Sequence, residues 1–349
     1  MPEQVPRQNN LTLIRFVLAY VVLFRHCMDS SAQTAFLEVR NLFASQDAVC
    51  LFFFISGLLV TSSYGRSSSL KDYVQKRLWR IFPLYLFAVL GAALVLCLAS
   101  SLGAAEYFSD SRFWRYVFWN GLTLNFMQKT LPGVFEGNPF NASVNDSLWT
   151  VKAELFFYAC LPFIAAAVGR CGRLWKKNLI LLVLYLLSFA YRGLCRTAAS
   201  ALDAPFLAPL ALEAPGYMGA FILGMFCYYN FSRLKGLLSS RLSLPVFLLC
   251  LSLAVLSNVG LIIYIPDMVK YILLAVACFY ASFSFSFLHT FFHGLDCSYA
   301  IYLFHYPLMQ WMVARGLFVA SPWLSLFLCA TSCFAIAYAA SFLERLLRK

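Results

Sequence analysis

Arg15 and His26 are ionisable side chains in the first long apolar stretch of this sequence, which also holds Arg25 and Asp29 near its end. On an α-helix Arg15 and His26 are eleven positions apart. At about 100° per residue that is three turns and roughly 20°, so both lie on one face, about 16 Å apart along the axis. An ionisable group inside a bilayer costs roughly 2.5–3.5 kcal/mol on insertion scales, so each one needs a reason. The structural reason open to this pair is that Arg15 snorkels to one membrane surface while His26 caps the other end of the helix. The chemical reason is proton transfer. An unperturbed imidazole titrates near pH 6.5, at about the right strength to take and return a proton at neutral pH.

Further chemistry-bearing residues recur along the chain. The run Phe52-Phe53-Phe54-Ile55-Ser56-Gly57 reads as close helix packing or as a lining that offers the Ser56 hydroxyl. Arg77 and Arg80 are three apart and share a helix face at a membrane surface; paired guanidinium forks suit phosphates, and they equally suit lipid headgroups. Glu154 follows Trp149 and Lys152 at the start of a span, at a depth similar to that of His26. It reads as an acid–base partner of His26 or as half of a structural salt bridge. Tyr302 and His305 lie inside another span, where Pro307 frees a backbone carbonyl. His289 and His293 fall in a short turn and carry no assigned role.

The elements that position these residues follow from composition. The chain has 349 residues, 62% hydrophobic and 12% charged; a soluble domain carries roughly 25% charged residues. Apolar runs place helices at about 11–29, 48–64, 81–101, 148–168, 178–195, 212–230, 243–264, 268–288, 297–315 and 322–343. The expected fold is all-α, a polytopic transmembrane bundle of about ten spans forming one integral membrane domain over 1–349. The first stretch is a poor signal peptide, because it holds Arg15 and His26 and lacks a good cleavage site. The twelve cysteines form no CxxC pair and most lie in apolar stretches, so no zinc or disulfide framework is expected.

The net charge of +12 would suggest nucleic acid for a soluble protein. Here the cations gather in alternate connections: Arg66, Lys71, Lys76, Arg77 and Arg80; Arg170, Arg173, Lys176 and Lys177; Arg233, Lys235 and Arg241; Arg345, Arg348 and Lys349. The positive-inside rule places these segments and both termini in the cytoplasm, and no nucleic-acid partner is expected. The longest connection, roughly 102–147, is then extracytoplasmic. Its first half, around Arg112-Phe113-Trp114-Arg115-Tyr116, reads as an interfacial helix or re-entrant piece. Its Pro/Gly/Asn-rich second half reads as a loop that could cover a site.

Taken together and in this order, the motifs resemble the membrane-bound acyltransferase-3 family, which includes bacterial sugar O-acetyltransferases. The Arg15…His26 spacing, the Phe-Phe-Phe-Ile-Ser-Gly run, Arg77-x-x-Arg80, the Ser147-Leu-Trp…Glu154…Phe-Tyr opening and the Ser298-Tyr…Tyr302-Leu-Phe-His305 stretch carry the resemblance over nearly the whole chain. It implies transfer of an acyl group, usually acetyl, from cytoplasmic acetyl-CoA to a hydroxyl of an extracytoplasmic carbohydrate such as O-antigen, capsule or exopolysaccharide, at a bacterial inner membrane. It implies His26 as catalytic residue with Glu154 beside it, and Arg15, Arg77 and Arg80 on the donor. Ser56, Trp149, Tyr302 and His305 would line the passage, and no metal is implied. Some members continue into a hydrolase-like domain where this sequence stops at Lys349, so this one is expected to act alone or with a separate partner. Lys152 replaces a usual apolar position and leaves the charge of Glu154 open. The competing reading is a secondary transporter, against which counts the absence of two halves of matching hydropathy. A non-catalytic scaffold would not need an Arg and a His on one face of an apolar helix.

Overall fold

Backbone in hydrocarbon must close its own hydrogen bonds, so long apolar stretches become helices. The computed structural model of the chain describes residues 5, 6, 8–238, 243–285, 288 and 296–347. Among the described residues there is no strand. The first helices are α1 (Leu11–Ser31), α2 (Ser45–Tyr64), α3 (Leu70–Val95), α4 (Ala104–Ser109), α5 (Ser111–Gly121), α6 (Trp149–Gly169) and α7 (Leu174–Ala201). They are followed by α8 (Ala214–Tyr229), α9 (Phe231–Leu238), α10 (Ser243–Asn258), α11 (Asp267–Ser284), α12 (Ser298–Ala314), α13 (Leu317–Ala320) and α14 (Pro322–Leu347). Arg241, His289, His293, Arg348 and Lys349 lie outside the described residues.

Every expected span contains a helix. Among the described residues eight helices are long and apolar enough to cross a bilayer, or nine if α9 and α10 form one broken span, in keeping with about ten. Helices α10 and α12, 16 and 17 residues long, stand at the short end of the spanning range. Helix α12 also carries Ser298, His305 and Gln310, all buried inside the protein. Other helices show the opposite habit: α7 leaves Leu179, Leu182, Val183, Leu186 and Leu187 exposed, an apolar face that only lipid can cover. Within 102–147 the expected interfacial helix is α5, with Phe113 and Tyr116 buried and Trp114 and Phe118 exposed.

The chain forms two compact units, each assembled from three separated stretches. One comprises Met1–Ile14, Gln46–Arg77 and Ala153–Phe291; the other comprises Arg15–Ser45, Leu78–Lys152 and Phe292–Lys349. In the first, the Phe-rich run of α2 does pack closely. A Cβ on Gly57 would sit 2.1 Å from the Phe221 carbonyl oxygen, and one on Gly224 would sit 2.1 Å from that of Phe54. Helices α2 and α8 therefore cross backbone to backbone, which only glycine permits here. The ring of Phe157 packs against Phe53 and Phe221 at 5.0 and 5.2 Å.

The same unit holds buried charges that close on one another. Lys270 Nζ lies 3.0 Å from Asp47, and Arg192 lies 3.1 Å from Asp267. Asn258 donates to Asp47 at 2.7 Å and accepts from Lys270 at 3.2 Å. Two cations against two acids make the group neutral, as low dielectric demands.

In the second unit α1 packs on α14, where Tyr20 donates to the Ala330 carbonyl at 3.2 Å and Phe16 meets Phe334 edge-on at 6.0 Å. Two in-helix prolines explain two further bonds. Proline offers no N–H, so it frees the carbonyl four residues earlier. Pro162 frees that of Tyr158, which takes the Tyr73 hydroxyl at 3.0 Å. Pro307 frees that of Leu303, which takes the Asn145 amide at 2.8 Å.

Gly57→Ala is expected to lower the thermal midpoint of the detergent-purified protein, by a destabilisation on the order of 1–3 kcal/mol. Gly91→Ala, in α3 with nothing within 4 Å of its Cβ position, should leave the midpoint unchanged or slightly raised. Equal midpoints for the two variants would contradict the close crossing.

Candidate functional site

Helix α1 places Arg15 one turn after its start and His26 one turn before its end. Both side chains turn to the same neighbour. Arg15 Nη2 lies 2.6 Å from Asp296 Oδ2, and the His26 ring reaches His305 on α12. The contacts advance in the same direction along both chains, so α1 and α12 run parallel there. The one-face spacing is thus realised against a single element of the same unit.

Asp296 gathers charge. Arg80 also reaches its Oδ2, at 3.1 Å, while its Oδ1 accepts from the Ser298 backbone N–H at 3.2 Å and the Ser298 hydroxyl at 2.6 Å. That local turn starts α12. Burial alone would raise the Asp296 carboxyl; the guanidiniums of Arg15 and Arg80 and the Ser298 donors outweigh it and hold the group below the usual carboxylate range. Two guanidiniums thus converge on one carboxylate.

The imidazoles of His26 and His305 lie end to end and nearly coplanar, with centroids 5.2 Å apart and planes 13° from parallel. His26 Nδ1 and His305 Nε2 are 2.9 Å apart. The tautomers follow from the third partner. His305 Nδ1 faces the Ile301 carbonyl at 3.1 Å, and a carbonyl only accepts, so this nitrogen carries the hydrogen. The other nitrogen of a neutral His305, Nε2, is then an acceptor, and His26 Nδ1–H donates to it. The Ser147 hydroxyl, 3.3 Å from the same Nε2, is oriented as a second donor. His26 is left with its Nε2 lone pair as the basic atom. His305 is fully buried and His26 only half-buried, so the basic ring is the one with open surface.

Residues around the pair are tied to α12. Tyr302 OH, Thr150 Oγ1 and the Ser147 carbonyl form a closed triangle, with Thr150 at 2.9 Å from Tyr302 and 3.0 Å from the carbonyl. Gln310 donates to the Ser143 carbonyl at 2.8 Å and the Asn141 carbonyl at 2.9 Å. Tyr306 OH donates to Asp146 at 3.3 Å. The segment 138–147 is therefore held along α12 as far as His305.

Glu154 belongs to the other unit. Its Oε1 accepts from the hydroxyls of Ser56, at 2.9 Å, and Tyr158. The Arg77 guanidinium lies over the Tyr158 ring, 5.8 Å from its centroid, and donates to Ser63 at 3.1 Å. Arg77 Nε is buried with no hydrogen-bond partner among the described residues. Ser56 and Glu154 are thus brought together, with Tyr158 between Glu154 and Arg77. His26 and Glu154 each have their own partners, His305 and Tyr158. Trp149 is the first residue of α6 and is half-buried, and Lys152 holds its ammonium over Phe126 at 4.8 Å. Among the described residues no group of three or more His, Cys, Asp or Glu side chains gathers as metal ligands would.

Sequence reasoning missed Asp296 and Tyr158. A signal existed for the first: it is the one carboxylate between Asp267 and Glu344, just ahead of a span, while two arginines at membrane depth lacked a counter-ion. Tyr158 had been read only as part of a motif, although it follows Glu154 by four residues and so shares its helix face.

The family profile described as "Acyltransferase domain" matches residues 8–342. The chain is similar to Nodulation protein 10 of Rhizobium leguminosarum bv. viciae, 30% identical over 184 residues, covering 49% of this chain and 46% of that protein. It is similar to the O-acetyl transferase of Shigella phage Sf6, 28% identical over 206 residues, covering 59% and 58%. It is also similar to Acyltransferase MdmB of Streptomyces mycarofaciens, 28% identical over 185 residues, covering 50% and 44%. The chain spans about half the length of the curated relatives it matches. No solved structure matches it.

The lowered Asp296 carboxyl sets a pH dependence. A depressed folded-state pKa contributes stability that is complete above the unfolded value, about 3.9, and is lost as pH falls through the folded value. Between about pH 5 and pH 3 the thermal midpoint should therefore fall more steeply for the wild type than for Asp296→Asn. At neutral pH the variant should be the less stable, because Arg15 and Arg80 lose their shared carboxylate. Thermal unfolding followed by tryptophan fluorescence reads both, and parallel curves would contradict the assignment.

Proposed function

The chain belongs to the acyltransferase-3 family, and from that premise we propose that it is a membrane O-acyltransferase. It moves an acyl group, acetyl in the simplest case, from cytoplasmic acyl-CoA to a hydroxyl of an extracytoplasmic carbohydrate such as O-antigen, capsule or exopolysaccharide. The membrane is a bacterial inner membrane, with both termini and the basic connections cytoplasmic. The name of the phage relative, an O-acetyl transferase, supports acetyl as the group moved. The observation that carries the reading is the bond from His26 Nδ1 to His305 Nε2, because it leaves His26 Nε2 as a base inside a largely apolar helix.

In this reading His26 Nε2 takes the proton of the acceptor hydroxyl as that oxygen attacks the thioester carbonyl. His305 stays neutral and accepts from the Nδ1–H of the imidazolium that forms, a charge-assisted hydrogen bond that steadies it. The carbon–sulfur bond breaks, and His26 returns the proton to the departing thiolate, so the enzyme ends as it began. Donor binding falls to the arginines. Arg15 and Arg80, pre-set by Asp296, offer guanidinium forks to the anionic phosphates. Arg77 is assigned the same role, and its unpartnered Nε supports it. Glu154 keeps a candidate catalytic role as the acceptor of the Ser56–Glu154–Tyr158 group. Trp149 and Tyr302 flank the passage.

His26→Ala should insert and fold normally yet lose labelled acetyl transfer by about 10²–10⁴-fold, the range of general base catalysis. Transfer at the wild-type rate would reject the proposal. At His305, Gln offers an oxygen that can accept from the His26 Nδ1–H, and Leu offers none. His305→Gln should therefore retain measurably more activity than His305→Leu; the reverse order would exclude the tautomer assignment.

A further inference from the structure

One cavity lies away from the imidazole pair, in the unit that contains it. It has a volume of about 480 Å³ and is walled by the end of α12, the residues just after α3 and the segment 133–139. Its chemistry is mixed. Trp311 offers an indole face, Arg315 lies 5.9 Å from that ring's centroid, and Glu136, Asn138, Ser100 and Ser101 offer polar groups. Ligand pockets of about 300–1,000 Å³ with an aromatic wall and a few fixed polar groups are the ordinary form of small-molecule sites.

The rim is built and strained. Phe135 has a φ of +61° and Gly133 one of +65°. A left-handed φ at a bulky residue costs about 1–3 kcal/mol and persists where its surroundings over-determine it. They do so here. Ser101 N–H donates to the Gly133 carbonyl at 2.9 Å, Ser100 Oγ to that of Pro132 at 2.8 Å, and Asn138 N–H to that of Phe135 at 3.0 Å. Asn138 also spends its side-chain N–H groups on Gln310, at 3.0 Å on the carbonyl and 2.9 Å on the amide oxygen. Gln310 is in turn bonded to Asn141 and Ser143, whose segment ends at Ser147 beside His305. Trp311 follows His305 by six residues, about 9 Å of helix rise.

We propose that this cavity is a saccharide subsite that holds neutral pyranose rings of the acceptor against Trp311, one helix segment away from the His26–His305 pair. The proposal rests on the acyltransferase reading for the purpose of the site, but its binding chemistry stands apart from catalysis. A pyranose has apolar C–H faces, which match the indole, and a rim of hydroxyls that both donate and accept. Glu136 accepts only, Arg315 donates only, and Asn138, its N–H groups spent on Gln310, offers its Oδ1 as a further acceptor. Glu136 already faces Arg112 at 3.5 Å, so a cation gains little there and is repelled by Arg315, while the carboxylate disfavours an anion beside Arg315; a neutral polyol suits the rim best. The volume admits about one or two rings.

The test is binding without a donor. The full chain in nanodiscs is presented to an array of neutral and anionic oligosaccharides, alongside Trp311→Ala, Trp311→Phe, Glu136→Gln and Arg315→Gln. Neutral pyranose oligosaccharides should bind the wild type, at least tenfold more weakly Trp311→Ala, and nearly normally Trp311→Phe. Glu136 and Arg315 are exposed, so their variants test the rim without threatening the fold; each should weaken binding several-fold. No neutral glycan bound, or one bound equally by Trp311→Ala and both rim variants, overturns the subsite. Displacement by phosphatidylglycerol headgroups but not by sugars overturns it in favour of lipid. Acetyl transfer by the wild type is scored separately: binding without any transfer removes the acyltransferase reading and leaves the subsite, and transfer without Trp311-dependent binding does the reverse.

Discussion

Hydrocarbon does not solvate charge, so a membrane helix can carry an arginine and a histidine only if the protein itself receives them. Here one segment receives both. Asp296 takes Arg15, and His305, on the helix that Asp296 opens, takes His26. Much else in this unit follows from that duty. Helix α12 is short, rich in polar groups and buried, because its role is to supply partners rather than to face lipid. The segment 138–147 lies along it because the polar groups of α12 must in turn be satisfied.

Proline extends the same logic to the backbone. Pro162 and Pro307 each leave a carbonyl without its helical donor, and in each case a side chain from elsewhere in the same unit supplies one. These substitutions sit where the candidate chemistry sits. The carbonyl freed by Pro162 belongs to Tyr158, the partner of Glu154. The one freed by Pro307 belongs to Leu303, two residues before His305. Each proline therefore creates an acceptor inside an apolar environment and fixes a neighbouring element by it, giving rigid support to side chains whose geometry matters.

The sequence was a good guide wherever burial has a period or a cost. Helix positions were legible because twenty apolar residues have few alternatives, and Arg15, His26 and His305 were legible because their presence in a span is expensive. Span number was legible to within one or two, with eight or nine candidates among the described residues against about ten expected. Partnerships were the least legible. Glu154 was matched with His26 from similar depth; within its own unit it accepts from Ser56 and from Tyr158, four residues on along the same helix. Asp296 was passed over because an acid just outside a span costs nothing by itself; its worth appears only when two guanidiniums converge on it. The cavity beside Trp311 was unreadable, since it depends on a left-handed Phe135 that no pattern announces.

The His26–His305 bond joins residues 279 positions apart. A ribosome adds about 5–20 residues per second, so the first helix is made tens of seconds before its histidine acquires a partner. For that interval α1 must stay in or near the insertion machinery with an unmatched imidazole and guanidinium, sheltered by water, by the translocon or by provisional neighbours. Assembly of the His26–His305 pair is therefore among the last events of biogenesis, and chains that stall before α12 carry a first helix poorly suited to lipid and open to quality-control proteases.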